Sequence, residues 1–309
     1  MYNLCCISNE LKEQGYSFKT MTFKRWTQLC DQLGDERALF ELGERWFNNV
    51  VVTLETIEMC AREGWGYRVS SSLFPCLTHP EFHYNVSDVP QYDEIMELFD
   101  ECLANDAWGV RLSTHPSQFV VLASENQDAV DKSIAELNHH GWVMDQLGCQ
   151  RNHYNVMCLH VNCSKGDPAD IAARFMSNLN KTDQSVQSRL AVEVEDKGCW
   201  HAENLCEHFD IPVIFDNLHN QCNPSSLSEL DAALLCESTW NGIRPVFHLS
   251  ESHPDKPNPR CHADMPTFVP LISSLVDADY DVELKNKDAA IREMIRLSQD
   301  CPLPIEVVS

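Results

Sequence analysis

Six apolar, strand-like runs in this chain end in a histidine or a carboxylate. WGVRLSTH closes on His115, NVMCLH on His160 and RLAVE on Glu193; IPVIFDNLH carries Asp216 and His219, RPVFH closes on His248, and DYDVE on Glu283. A buried strand normally stays apolar to its tip, because an unpaired polar group there costs free energy. Set at one end of successive parallel strands, such residues converge on a common metal site. His79 and His262, in loop-like segments, add two more imidazoles. The candidate ligands are therefore His79, His115, His160, Glu193, Asp216, His219, His248, His262 and Glu283. They offer imidazole nitrogen and carboxylate oxygen without thiolate, which suits manganese, zinc or iron better than copper(I) or an iron–sulfur cluster. The set exceeds the needs of one ion and implies about two or three, with Glu193 or Glu283 bridging. Clusters of this kind clamp the attacking and leaving oxygens in phosphodiester cleavage. One strand-end histidine alone would be read as an ordinary hydrogen-bonded residue; the set carries the inference. Asp216 and His219 form its firmest pair, since D-x-x-H at a strand end lets two side chains of one short loop face one ion.

The elements that must position these residues alternate. Strands are expected at Asn3–Ser8, Trp65–Ser71, Trp108–Thr114, Asn155–Val161, Arg189–Glu195, Ile211–Asp216, Ile243–Leu249 and Asp279–Leu284. Between them, Leu39, Leu42, Trp46, Val50, Leu54, Ile57 and Ala61 recur at helical steps, with Gly64 placed to cap the end. Asp128–Leu147 is a second long helix, and Asp167-Pro168, Met265-Pro266 and Asp288 read as helix starts. Strand alternating with helix, about eight times over, is the pattern of a TIM (β/α)8-like barrel with its metal site at the C-terminal mouth. No G-x-G-x-x-G follows a strand and no P-loop occurs, which sets nucleotide-binding α/β folds aside. No low-complexity linker divides residues 1–309, so one barrel domain is expected.

With 43% hydrophobic residues in 309, the chain can bury a large core. It has no apolar run long enough to span a membrane and no recognisable secretory signal, so a soluble cytoplasmic protein is expected. Its 15 cysteines are scattered without a CxxC pair and read as reduced, small buried residues, Cys158 within a strand among them. The net charge of −24 argues against non-specific nucleic-acid binding, although it does not report the charge of one face.

The motifs RLSTHPSQF, LAVEVEDK, PVIFDNLHNQCNP, FHLSESHPD and DVELKNKD resemble, in order and spacing, those of the UV damage endonuclease family, from near Cys6 to about Lys287. The resemblance implies a TIM barrel with a divalent metal cluster, most often manganese, with zinc or other ions as alternatives. It implies nicking of damaged double-stranded DNA immediately 5′ of cyclobutane dimers, 6-4 photoproducts and some abasic lesions, leaving a 3′-hydroxyl. Position by position, THPEF, STHPSQF, LH, LAVE, FDNLH, FH, CHAD and VELK fall on the same nine ligands. The resemblance further implies that Gln118 and Phe119 probe the damaged strand. Some members carry tyrosine at the second position; phenylalanine lacks the hydroxyl but remains a wedge for weakened base stacking. It also implies a catalytic group of Glu193, Glu283 and Lys285, with Lys285 beside the cleaved phosphate. In CCISNEL, Ser8 or Asn9 takes the place of a family asparagine, and Asn9 joins the DNA-binding set. Two residues before His248, where some relatives place a lysine at the metal site, this chain has Val246, so that a third ion is either held by fewer ligands or is weak or absent.

The reading that follows is a monomeric metal-dependent DNA repair endonuclease, with Lys165, Lys197, Lys256 and Arg260 on a positive mouth to hold phosphates. Two other classes share parts of the pattern. A metal-dependent TIM-barrel sugar isomerase would use similar ligands in a narrower pocket. A catalytically silent barrel that binds damaged DNA would keep the fold without the metal.

Overall fold

In a computed structural model, which describes residues 1–300, the apolar runs become eight strands in a single parallel sheet. They are β1 (Tyr2–Cys5), β2 (Gly66–Val69), β3 (Leu112–Thr114), β4 (Met157–Leu159), β5 (Leu190–Glu193), β6 (Val213–Ile214), β7 (Val246–Leu249) and β8 (Asp279–Val282). Apart from Tyr2, every strand residue is buried, as expected where helices cover one face and barrel packing the other. The order is β6-β5-β4-β3-β2-β1-β8-β7. A single parallel bridge, Asp216 to His248, then joins the two outer strands, with the His248 N–H donating to the Phe215 carbonyl at 2.8 Å. The seam that closes the ring is thus made by two expected ligands.

Helices fill the crossovers much as their periodicity predicts. The helix Asp35–Glu63 ends on Gly64, whose left-handed φ of 71° lets its N–H reach the Ala61 and Cys60 carbonyls. The helix Gln127–Gln146 lies within a residue of its expected bounds, and Pro168–Leu179 starts under an Asp167 cap that accepts from the Ala169 and Asp170 N–H groups. Asp288 lies in the first turn of Lys287–Asp300 and accepts the Asn9 and Glu10 N–H groups, tying the start of the helix Asn9–Glu13 to the last crossover.

Two expectations are corrected. Met265-Pro266 starts no helix; the next one is Ile272–Leu275. The backbone there is already engaged: Ala263 N–H donates to Glu251, while the Lys285 and Asn286 N–H groups donate to Ala263 and Asp264. An antiparallel bridge between Ser252 and His262 completes this arrangement and carries His262 to the mouth. The third strand begins at Leu112 and not at Trp108, because Asp106, Ala107 and Trp108 have φ of 49°, 45° and 52°, which no strand accommodates. The expected single unit of residues 1–309 includes 301–309, which lie outside the described residues. Every cysteine among the described residues is free, as expected.

Buried charge divides by barrel end. At the N-terminal end, Arg189 is matched by Asp145 and the carbonyls of Cys149, Gln150 and Ser185, and Arg111 by Asp279 and the carbonyls of Tyr154 and Arg244. These are satisfied structural charges. The C-terminal mouth is different.

Candidate metal centre

Glu193, the last residue of β5, is buried and faces four imidazoles. Its Oε2 lies 3.0 Å from His115 Nε2 and 3.4 Å from His160 Nε2. Its Oε1 lies 3.0 Å from His248 Nδ1 and 3.1 Å from His219 Nδ1. Three donor groups are close enough to share an ion: His115, Cys158 and Glu193; His160, Glu193 and His219; Glu193, Asp216 and His248. Glu193 belongs to all three, the arrangement of a bridging carboxylate.

Two further candidate ligands adjoin the group. Glu283 Oε1 lies 3.6 Å from His248 Nδ1, and Arg68 of β2 pairs with the same carboxylate. His262 Nδ1 donates to the Glu283 carbonyl at 2.7 Å. His115 Nδ1 likewise donates to the Pro116 carbonyl and His219 Nδ1 to the Val194 carbonyl. In the neutral ring, a nitrogen committed to a backbone carbonyl fixes the tautomer and leaves Nε2 to ligate, which is how metal-ligating histidines are usually held.

The electrostatics match a site built for cations. Burial would push the Glu193 carboxyl up, but His160, His248, His115 and His219 hold it well below the usual carboxylate range. Burial pulls His160 down to about 4. It opposes charge on His219 too, yet Asp216 and Glu193 raise that imidazole to about 11; at His248, Glu193 and Glu283 overcome burial and raise it to about 9. Burial raises Asp216. Its Oδ1 accepts the His219 N–H at 2.7 Å, capping the helix Asn217–Cys222, while its Oδ2 is buried without a hydrogen-bond partner. An orphaned carboxylate oxygen among imidazoles fits a divalent ion.

His79, Lys285, Gln118, Phe119 and Asn9 stand apart from this cluster. His79 is in none of the donor groups; its ring stacks on Phe23 at 3.8 Å and lines a cavity of about 440 Å³ with Phe119. Lys285 Nζ is exposed at the rim, 3.6 Å from Asp264. Phe119 is 80% exposed, which removes core packing as its role. Its loop is nonetheless anchored: Asn162 Nδ2 donates to the carbonyls of the exposed Gln118 and of Val120, and the Asn162 N–H donates to Glu195 at 2.7 Å. Asn9 contributes its backbone to Asp288, and Ser8 is the cap of that helix. Of the expected phosphate-holding groups, Arg260 pairs with Asp196, whereas Lys165, Lys197 and Lys256 are exposed on βα loops with no ion pair among the described residues.

Four groups were not foreseen. Arg68 and Asp281 lie inside the barrel, with Asp281 Oδ2 3.6 Å from His248 Nε2 and its Oδ1 accepting from Asn3 at 2.8 Å. A charged residue inside the buried run GYRV was the available signal for Arg68. Glu195, two residues beyond Glu193, is pushed up to about 7 by burial. Cys158 places its sulfur 3.0 Å from Glu193 Oε2; its position two residues before His160, on the same strand face, was the signal.

Known proteins share this architecture. The family described as UV-endonuclease UvdE matches residues 2–306. The UV DNA damage endonuclease of Bacillus pumilus (strain SAFR-032) is 30% identical over 290 residues, covering 90% of this chain and 87% of that protein. The UV-damage endonuclease of Neurospora crassa is 32% identical over 286 residues, covering 86% of this chain and 42% of that longer protein. The crystal structure of SacUVDE superposes with a TM-score of 0.79 at 25% identity, covering 97% of this chain and 98% of that one. Endonuclease IV from Thermus thermophilus shares the fold, with a TM-score of 0.53 at 18% identity over 80% of this chain and 94% of that one.

Proposed function

Because this chain belongs to the UvdE family of UV endonucleases, and is thereby a UV-damage DNA repair endonuclease, we propose that it nicks damaged duplex DNA by metal-assisted phosphodiester hydrolysis at the Glu193 cluster. The observation that supports this most is the membership of Glu193 in all three donor groups. His115, His160, Asp216, His219, His248 and Glu283 complete the proposed ligand set, with His262 and His79 as outlying members. We propose two or three ions, manganese foremost on the carboxylate-rich side formed by Glu193, Asp216 and Glu283. Bound there, divalent ions would neutralise phosphate charge and activate a water molecule.

The chain's own residues do the rest. Lys285, three residues beyond β8, lies where it can exchange Asp264 for a phosphate and offset charge developing in the transition state. Lys165, Lys197 and Lys256 hold the flanking backbone as exposed charges, so binding weakens with salt. Phe119, held out on an anchored loop with Gln118 beside it, enters the stack where damage has already weakened it. Asn9 approaches from the first crossover. Recognition then rests on deformability and not on base sequence, since a dimer or missing base lowers the cost of unstacking. We propose incision immediately 5′ of cyclobutane dimers and 6-4 photoproducts, with abasic sites as further substrates.

The remaining expectations, a monomer acting in the cytoplasm with residues 1–309 as one catalytic unit, belong to the same proposal. No helix among the described residues is long and apolar enough to cross a membrane. Family membership decides against the sugar isomerase and the silent barrel. The test is an end-labelled duplex carrying one cyclobutane dimer, incubated with chelator-stripped protein and then with added manganese. One manganese-dependent nick 5′ of the dimer supports the proposal; intact DNA after manganese loading overturns it.

A further inference from the structure

Cys158 is the β4 residue whose side chain leaves the same strand face as His160, toward the barrel axis. The thiol is 2% exposed, which shields it from bulk water. Its sulfur lies 3.0 Å from Glu193 Oε2, the oxygen that is also 3.0 Å from His115 Nε2. Two other thiols, those of Cys76 and Cys102, bond ordinary backbone carbonyls, of Met21 and Leu147. Cys158 instead points into the cluster, and its sulfur, the His115 nitrogen and the Glu193 oxygen lie within 4.8 Å of one another. Bonds of about 2.0–2.3 Å to one tetrahedral ion bring such donors to roughly 3–4 Å apart, so little movement is required.

We propose that Cys158 is a further metal ligand, joining His115 and Glu193 to hold one softer, zinc-type divalent ion beside the harder ions of the cluster. The assignment rests on the metal-dependent reading above and deepens it. Sulfur prefers zinc or cadmium to manganese, whereas the positions at His160 with His219, and at Asp216 with His248, offer only nitrogen and oxygen. On binding, the S–H bond breaks, a sulfur lone pair forms the S–metal bond, and the proton leaves to solvent; no electron is transferred. The cluster is then a mixed one, and one of its ions is chosen by a thiol.

The test uses the chelator-stripped full chain and one equivalent of cadmium. The expected result is an ultraviolet sulfur-to-cadmium charge-transfer band that Cys158→Ser abolishes. Zinc affinity should weaken by at least the roughly 10–100-fold that loss of an outer-shell partner costs, and manganese affinity should change far less than that of zinc. If the variant fails to fold, cadmium NMR of Cys158→Ala beside the unaltered chain decides, since a sulfur-ligated ion resonates far downfield of one held by nitrogen and oxygen alone and the signal should vanish in the variant. Bound cadmium without the band, or a band that survives in Cys158→Ser, overturns the assignment and leaves metal dependence standing. Failure to bind cadmium, zinc or manganese at all overturns both.

Discussion

Phe119→Ala separates a recognition role from a structural one. The side chain is 80% exposed and has little packing to lose, so unfolding stability should change by no more than about 0.5 kcal/mol. If the ring instead stacks on a base, its loss removes about 1–3 kcal/mol of binding, or roughly 5- to 150-fold in affinity. The loss should fall on damaged duplex and much less on intact duplex, because only weakened stacks admit the ring cheaply. Urea denaturation gives the first quantity, and fluorescence anisotropy with matched dimer-containing and intact duplexes gives the second. Asn162→Ala should reproduce part of the affinity loss, since it frees the loop carbonyls of Gln118 and Val120. Unchanged discrimination between the two duplexes, or destabilisation by more than about 1 kcal/mol, would exclude Phe119 as the wedge.

Other consequences follow from the same geometry. Gly66→Ala would set a Cβ 2.2 Å from Asn3 Oδ1 and 3.2 Å from the Arg111 carbonyl, costing about 1–3 kcal/mol in denaturant melts. Because Asn3 holds Asp281, which faces His248, the same change should weaken metal binding in a chelator competition. Lys165→Gln, Lys197→Gln and Lys256→Gln should each flatten the log–log salt dependence of DNA affinity by about 1 in slope, measured by salt titration. His139 is pulled down to about 3, chiefly by burial and then by His140. Its folded value lies below its unfolded one, so the stability it contributes is present above the ordinary imidazole value and is lost as pH falls toward 3. Denaturation midpoints should therefore drop between about pH 7.5 and about pH 5, and drop less in His139→Phe.

The barrel and most of the cluster were legible because a parallel barrel puts both in one signal. Strands buried on both faces read as apolar runs, and a ligand at the tip interrupts the run where it enters the mouth. Glu193, His160, His248 and the Asp216–His219 pair were visible on those terms. Residues one layer deeper were not, because Arg68, Asp281 and Cys158 lie within the runs, and Cys158 passes for a small apolar side chain until Glu193 stands beside it. His262 reaches the mouth through a bridge to Ser252, a pairing that no periodicity encodes. The same pairing occupies the backbone just before Met265-Pro266, where a helix start was expected. Trp108 reads as a strand residue by composition, but three successive left-handed residues delay β3 to Leu112.

Whether Glu193 bridges a metal cluster is decided by the metal content of Glu193→Gln beside the unaltered chain, measured by mass spectrometry of the metal-loaded, gel-filtered proteins. Glu193 is common to every donor group, so one neutral amide should disturb all the ion positions together. The expected result is two or three ions per unaltered chain and loss of most of them from the folded variant, together with loss of dimer-specific nicking. A folded variant that keeps its full complement of metal would show that Glu193 does not bridge the ions.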